Sequence, residues 1–174
     1  MLLGVAITLA LSLAPSPFAL YDLMFWLMGG LNDRSLPQLA LAVPLIGVGI
    51  ALLLRAGPAL DALALGEEVA QSLGVGPSRV QRQVVIGIAL ATGAGVAVAG
   101  SIGFIGLIVP HLVRPLVGHR PGAAIAPAAL AGAALLTAAD IAVRLVPAGL
   151  DLRLGVLTAL IGAPFFLALI MGRR

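Results

Sequence analysis

The chain has 174 residues, of which 61 % are hydrophobic and only 10 % are charged. A soluble globular domain carries about 25 % charged and roughly 45–50 % apolar residues. The mean hydropathy of this chain is +1.16. These values exclude a soluble globular domain and predict a membrane protein, because so much apolar surface needs lipid around it.

Two residue types are missing, and their absence narrows the chemistry. The chain has no cysteine, which excludes a disulfide framework, a cysteine nucleophile and a thiolate metal site. It has no lysine either, which excludes a P-loop lysine and a Schiff base. A nucleic-acid-binding surface needs clustered basic residues, whereas the arginines here stand singly between apolar runs. We therefore relate the formal net charge of +3 to the orientation of the chain in the membrane and expect no nucleic-acid partner.

The apolar runs predict the fold class. A membrane-spanning helix needs about 20 mostly apolar residues. The first run is short; it could be a signal peptide, but it lacks the basic residues of one, and we interpret it as a helix shortened by the start of the chain. The tight turn Gly100–Gly103 divides a long run into two helices, of which the second need not reach full depth. The runs are 1–14, 36–54, 84–117 (two segments), 123–146 and 154–171.

We therefore predict an all-α polytopic membrane protein, a bundle of about six transmembrane helices forming one membrane domain over residues 1–174. The positive-inside rule sets its orientation. With the polar interval 55–83 in the cytoplasm, the carboxyl terminus is cytoplasmic too. The inner side then holds seven arginines and three acids, and the outer side holds three arginines (34, 144 and 153) and four acids.

Small residues recur every four positions in two of the runs, which favours close packing between helices in lipid. One alternative stays open, namely that they reflect only the composition. The two stripes are Gly87, Ala91, Gly95 and Ala99, and Ala124, Ala128 and Gly132.

The polar interval 55–83 is nearly thirty residues long, more than a plain connection between two helices needs. Leu65, Val69 and Leu73 follow one another at four-residue steps, opposite a polar face that contains two glutamates. This pattern predicts a short amphipathic helix that ends at Gly74 and could dock another protein. The helix could instead lie in the lipid interface, although its acidic face argues against an anionic leaflet.

Few residues suit catalysis. His111 belongs to no metal-binding His-Glu-x-x-His pattern, and Ser101 has no visible base near it, although a nucleophile needs one. We therefore expect no enzyme and no metal site. Asp140 and Arg144 stand four residues apart and can face each other on a helix. They form either a local ion pair or an outward arginine offered to an acidic partner.

Several segments together resemble the FecCD-type permease family of iron-siderophore, haem and vitamin B12 ABC importers. They follow one another in the family's order over nearly the whole chain. The segments are Trp26-Leu27-Met28-Gly29-Gly30, Leu65 to Gly74, Ala99 to His111 (the most specific), Ala139 to Arg144, and Gly155 through Thr158 to Phe165.

The resemblance implies a ten-helix permease that pairs with a second copy or a paralogue in the bacterial inner membrane. An ABC ATPase, which carries the ATP and Mg²⁺, would bind inside, and a periplasmic or lipid-anchored binding protein would deliver substrate outside. No cofactor is expected on this chain. The residues that the resemblance assigns to coupling with the ATPase are Leu65, Gly66, Glu67, Glu68, Ala70, Leu73 and Gly74. It implies a short outer helix over Tyr21 to Leu31.

Further roles follow from the same resemblance. Docking of the binding protein is assigned to Arg144, with Asp140 and Arg153 beside it. The residues assigned to the translocation pathway and helix packing are Trp26, Gly29, Gly100, Gly103, Phe104, Gly106, Pro110, His111, Gly155, Thr158, Gly162 and Pro164.

The chain departs from the family in two respects. It is about half the family length and matches the second half, so we expect either a fragment or a half-size subunit that needs a partner chain. It also has Asp151-Leu152-Arg153 where the family usually has Glu-Leu-Pro before the last helix.

The leading hypothesis is an importer permease for a ferric siderophore or haem. The alternatives are a vitamin B12 permease, a truncated or non-transporting membrane subunit, and an intramembrane enzyme that uses His111 and Asp140. The apolar pathway lacks a cluster that would hold bare iron, which favours a wrapped ligand.

Overall fold

A computed structural model describes residues 2–13, 17–32, 34–146 and 153–171, and these ranges contain helices and no strand. The predicted all-α fold class is confirmed. The helices are α1 (Leu2–Ser12), α2 (Pro17–Met28), α3 (Leu36–Leu63), α4 (Glu67–Ser72), α5 (Pro77–Ala99), α6 (Ile105–Val113), α7 (Pro121–Arg144) and α8 (Leu154–Met171), with a 3₁₀ turn at Arg114–Val117.

Among the described residues, three helices are long and apolar enough to cross a membrane: α3, α5 and α7. The apolar helices α6 and α8 are shorter, and α6 follows the glycine turn, so the predicted division of the long run into two helices is confirmed. The helix α1 has 11 residues. The helix α2 occupies most of the segment in which a short outer helix was expected.

The pair α3 and α5 forms the closest packing in the described bundle. A Cβ atom on Gly49 would lie 2.7 Å from the carbonyl oxygen of Gly87 and 2.8 Å from the amide nitrogen of Ala91. The predicted stripe on α5 is therefore a packing surface at these two residues. The close packing does not extend along the stripe to Gly95, because nothing lies within 4 Å of a Cβ there.

The polar interval is organised differently from the prediction. The helix α3 continues to Leu63 and α5 begins at Pro77, so only residues 64–76, and not 55–83, connect the two spans. The residues from Arg55 to Leu63 are rich in leucine and alanine, which favour helix. They carry the helix beyond the end of its apolar stretch.

Candidate functional site

The connection between α3 and α5, residues 64–76, contains the residues predicted to contact an ATPase, and we call it the coupling segment. Its short helix α4 is anchored by Ala70, which is fully buried and whose carbonyl accepts a 2.9 Å hydrogen bond from the Val75 amide. Gly66 before the helix and Gly74 after it have φ angles of +115° and +79°, which glycine adopts without strain. The segment is thus a hydrogen-bonded turn built around one buried side chain.

The row of apolar residues predicted for this helix points outward. Leu65 is 68 % exposed, Leu73 is 64 % exposed, and Val69 is exposed as well. Glu67 and Glu68 are also exposed, in the first turn of α4. The coupling segment therefore exposes both leucine side chains and carboxylates.

A clamp joins the end of α3 to the start of α7, next to the coupling segment. Asp61 accepts a 2.7 Å hydrogen bond from the amide of Gly122 and a 3.2 Å bond from the guanidinium of Arg120. The first amides of a helix have no partner inside it, and a carboxylate there also suits the helix dipole. Gly57 and Gly122 pass so closely that a Cβ on Gly122 would collide with the Gly57 carbonyl.

Sequence reasoning missed this clamp. The available signal was a lone acid, Asp61, in an otherwise apolar stretch, together with a Pro-Gly pair that begins a helix at residues 121–122. Neither feature indicates its partner, because 61 residues separate the two ends of the hydrogen bond.

At the opposite end of the bundle, three segments meet through glycines; we call this contact the outer junction, after the orientation that the sequence predicts. It consists of Gly29 after α2, Gly100 after α5 and Gly155 in α8. A Cβ on Gly100 would collide with the carbonyl of Trp26, and a Cβ on Gly155 with that of Met28. Backbone atoms therefore touch directly, which only glycine permits.

Hydrogen bonds tie the outer junction together. The Trp26 carbonyl accepts bonds from the amides of Gly29, at 3.1 Å, and Ser101, at 3.3 Å. The Gly30 amide donates to the Ala99 carbonyl at 2.8 Å. Thr158 is 5 % exposed and its hydroxyl bonds to the carbonyl one turn back in α8.

The helices α6 and α8 meet below this junction. Phe104, in a left-handed conformation with φ of +66°, lies against Gly162, so that a Cβ there would collide with the ring. His111 packs edge-on against Phe165, with ring centroids 6.1 Å apart. The structure thus brings four residues of the two helices together in pairs.

Other predicted packing residues are not crowded. Nothing lies within 4 Å of a Cβ on Gly103 or Gly106. Pro110 and Pro164 are exposed inside their helices. The motif from residue 99 to 111 thus contains two kinds of glycine, since Gly100 is enclosed and the two that follow are open.

Arg144 and Asp140 form an ion pair near the end of α7. The guanidinium Nε donates to the carboxylate at 2.7 Å, yet the Arg144 side chain remains 57 % exposed. The sequence left two alternatives open, a local ion pair or an arginine that is exposed to a partner. The structure shows the ion pair, and the arginine side chain is exposed as well. Arg153 precedes α8, and its carbonyl accepts bonds from the amides of Val156 and Leu157.

His111 and Asp140, the two residues considered for an intramembrane enzyme, contact different parts of the structure. His111 contacts Phe165 in α8, whereas Asp140 bonds to Arg144 within α7. Among the described ranges, no group of three or more His, Asp or Glu side chains could hold a metal ion. The predictions on residues 151–152 and on the carboxyl-terminal arginines 173–174 lie outside the described residues.

The comparisons with known proteins agree with this arrangement of helices. The model of the FecCD transport family matches residues 1–172. The chain belongs to the FecCD transport family. As a family member it is a membrane permease chain of the ABC transporter type, which confirms the family resemblance.

Relatives carry different substrate names. The chain is 43 % identical over 148 residues to the vitamin B12 import system permease protein BtuC of Vibrio cholerae, covering 85 % of this chain and 44 % of BtuC. It is 39 % identical over 151 residues to the Fe(3+) dicitrate transport system permease protein FecD of Escherichia coli, covering 87 % and 48 %.

A solved structure described as an inward-facing metal-chelate type ABC transporter is similar as well. It matches with a TM-score of 0.88 and 30 % identity, over 98 % of this chain and 56 % of that one. The chain spans about half the length of the curated relatives that it matches.

Proposed function

We propose that this chain works as part of the membrane permease of a binding-protein-dependent ABC importer, which moves a metal chelate inward with energy from a partner ATPase. One observation carries the proposal. The exposed coupling segment, with its leucines and carboxylates, lies in a chain that matches the FecCD family along nearly its whole length.

In this proposal the coupling segment receives the motion of the ATPase. The buried Ala70 anchors the segment to the permease, while Leu65 and Leu73 lie free for a partner. The Asp61 clamp continues the path, because it connects the end of α3 with the start of α7. ATP and Mg²⁺ belong to the ATPase, and we propose no cofactor for this chain.

The proposed orientation puts the coupling segment and the carboxyl terminus in the bacterial cytoplasm. Five arginines of the described residues lie toward that end of the helices, against three toward the other, which agrees with the positive-inside rule. The outer end then carries Arg144 and Arg153, which we propose as docking residues for an acidic surface of the substrate-binding protein. A second permease copy or paralogue completes the pathway.

For the substrate we propose a ferric chelate, either a siderophore or haem. Vitamin B12 is the second candidate, and a specific observation favours it, since relatives named for vitamin B12 import are as similar to this chain as those named for iron citrate. Both are metals already wrapped in an organic ligand.

Purification of the tagged native protein from bacterial membranes tests the proposal. We expect a Walker-motif ATPase to be recovered with it, identified by mass spectrometry. Proteoliposomes that contain this complex and its binding protein should accumulate one labelled ligand (a ferric siderophore, haem or cobalamin). Accumulation should require ATP on the side of the membrane that carries the ATPase. Recovery without an ATPase, together with no uptake of any of these ligands, would leave a non-transporting membrane subunit instead.

A further inference from the structure

A basic cavity opens between α3 and α5, at the end of the bundle that carries the coupling segment. Its volume is about 590 Å³. Three arginines and one glutamine share its wall with two apolar side chains. The lining residues are Leu52, Arg55, Arg79, Arg82, Gln83 and Ile86.

The register of the two antiparallel helices brings the arginines together. Gly49 packs against Gly87, and one turn further along α3 the carbonyl of Leu52 accepts a 2.9 Å hydrogen bond from the side-chain amide Nε2 of Gln83. The next turn places Arg55 opposite the first turns of α5. There, Arg79 and Arg82 stand three residues apart and share one helix face.

All three guanidinium groups are available for a ligand. The three residues are exposed, and none of their side chains makes an ion pair or hydrogen bond to another group of the described part of the chain. The lining of the cavity carries three positive charges and no carboxylate, so an anion in the cavity would be stabilising. Guanidinium binds phosphate oxygens in a bidentate manner.

The level of the cavity in the membrane indicates which anion this is. The apolar part of α3, from Leu36 to Leu54, rises about 28 Å along the helix axis. This length is close to the roughly 30 Å thickness of the hydrocarbon layer. Arg55 follows directly, so it lies at the boundary between acyl chains and headgroups. Arg82 lies at the corresponding boundary of α5, since the apolar run begins at Val84.

We propose that this cavity binds the phosphate of an anionic phospholipid of the inner leaflet, with acyl chains lying along Leu52 and Ile86. Arg55, Arg79 and Arg82 would hold the headgroup. Basic pockets between transmembrane helices on the cytoplasmic side suit such headgroups. Only the choice of leaflet rests on the proposed function. Bound lipid would fasten α3 to α5 just above the coupling segment.

Lipid retention tests the inference without measuring transport. The purified native complex is stripped of lipid in detergent and incubated with mixed micelles of phosphatidylglycerol or, separately, phosphatidylethanolamine, and retained lipid is measured by native mass spectrometry. We expect selective retention of phosphatidylglycerol. In the triple variant R55Q/R79Q/R82Q its affinity should fall by about a hundredfold, since each basic residue near an anionic leaflet contributes about a factor of five.

Two variants control for folding and for general charge. The triple variant R55K/R79K/R82K keeps the charge and should retain most of the lipid. Arg114→Gln removes an exposed arginine outside this cavity and should leave retention unchanged.

Equal phosphatidylglycerol retention by the parent and the glutamine variant would overturn the inference. Displacement of the lipid by millimolar inorganic phosphate would overturn it too, because the site would then serve free phosphate. Loss of the ATPase from the glutamine variant with unchanged lipid would assign the arginines to protein docking instead.

Discussion

The two ends of this bundle differ in the side-chain bonds that join them. At the outer junction, glycine backbones of three segments touch directly, and the Trp26 carbonyl accepts hydrogen bonds from the backbone amides of Gly29 and Ser101. At the other end the backbones of Gly57 and Gly122 also touch, but the Asp61 carboxylate adds bonds from one backbone amide and one exposed guanidinium at the start of α7.

The difference indicates which contact a change of side-chain rotamer can release. At the outer junction the glycine contacts lie between backbone atoms, which such a change does not release. The hydrogen bonds of the Asp61 side chain can break and form again at the cost of about one charged hydrogen bond. Of the two joints, the one beside the coupling segment therefore combines close backbone packing with a side-chain bond that can open.

The largest expected effect comes from breaking the outer junction. In Gly155→Ala the added Cβ would collide with the Met28 carbonyl and approach that of Ser101, and overpacking of this kind costs about 3 kcal/mol. We expect a large loss of folded protein, measured by size-exclusion yield and by resistance to unfolding in SDS. Gly103→Ala is the matched control, since open space surrounds that position; equal losses in both variants would contradict the close packing at this junction.

The clamp at the other end should be weaker. Asp61→Ala leaves the Gly122 amide without its partner, which costs about 2 kcal/mol, whereas Arg120→Gln removes only an exposed ion pair worth about 0.5 kcal/mol. Unfolding in SDS should rank the two variants in this order. A larger effect from Arg120→Gln would mean that the ion pair and not the helix cap holds α7.

The coupling segment should transmit motion without adding stability. Glu67→Arg reverses an exposed charge at the proposed ATPase contact and should lower uptake per ATP hydrolysed by at least about tenfold, with folding unchanged. Gly74→Pro should act similarly, because proline cannot adopt the φ of +79° found there. Uptake and ATP hydrolysis are measured together in proteoliposomes.

Ser78→Arg, on an exposed position of α5, controls for the added charge. Normal coupling in both Glu67→Arg and Gly74→Pro would remove the segment from the proposed path of motion.

The smallest effect is expected at Arg144. Arg144→Glu should weaken docking of the binding protein by about fivefold, as for an exposed charge pair, and Arg144→Lys should keep most of the affinity. Surface plasmon resonance with the native binding protein measures both. An unchanged affinity in Arg144→Glu would restrict this residue to its ion pair with Asp140.

Sequence reasoning reached the local features of the proposed sites. The positions of Gly74 and of the glycine turn at residues 100–103 were predicted, because turns depend on residues close together in the chain. The length of α3 was underestimated, because the hydropathy pattern ends at Arg55 although the helix continues to Leu63. The length of an apolar run reflects the thickness of the hydrocarbon layer, and the helix that contains the run can extend beyond that layer.

By itself, the sequence determined the membrane class, the order of the helices and the family, since these depend on composition and on motifs along the chain. Only the tertiary structure decided that Gly100 and Gly155 are crowded while Gly103 is open, and that Asp61 caps α7. The physical reason is the same for both: close approach and capping are relations between segments far apart in the chain, and a single residue's identity does not carry them.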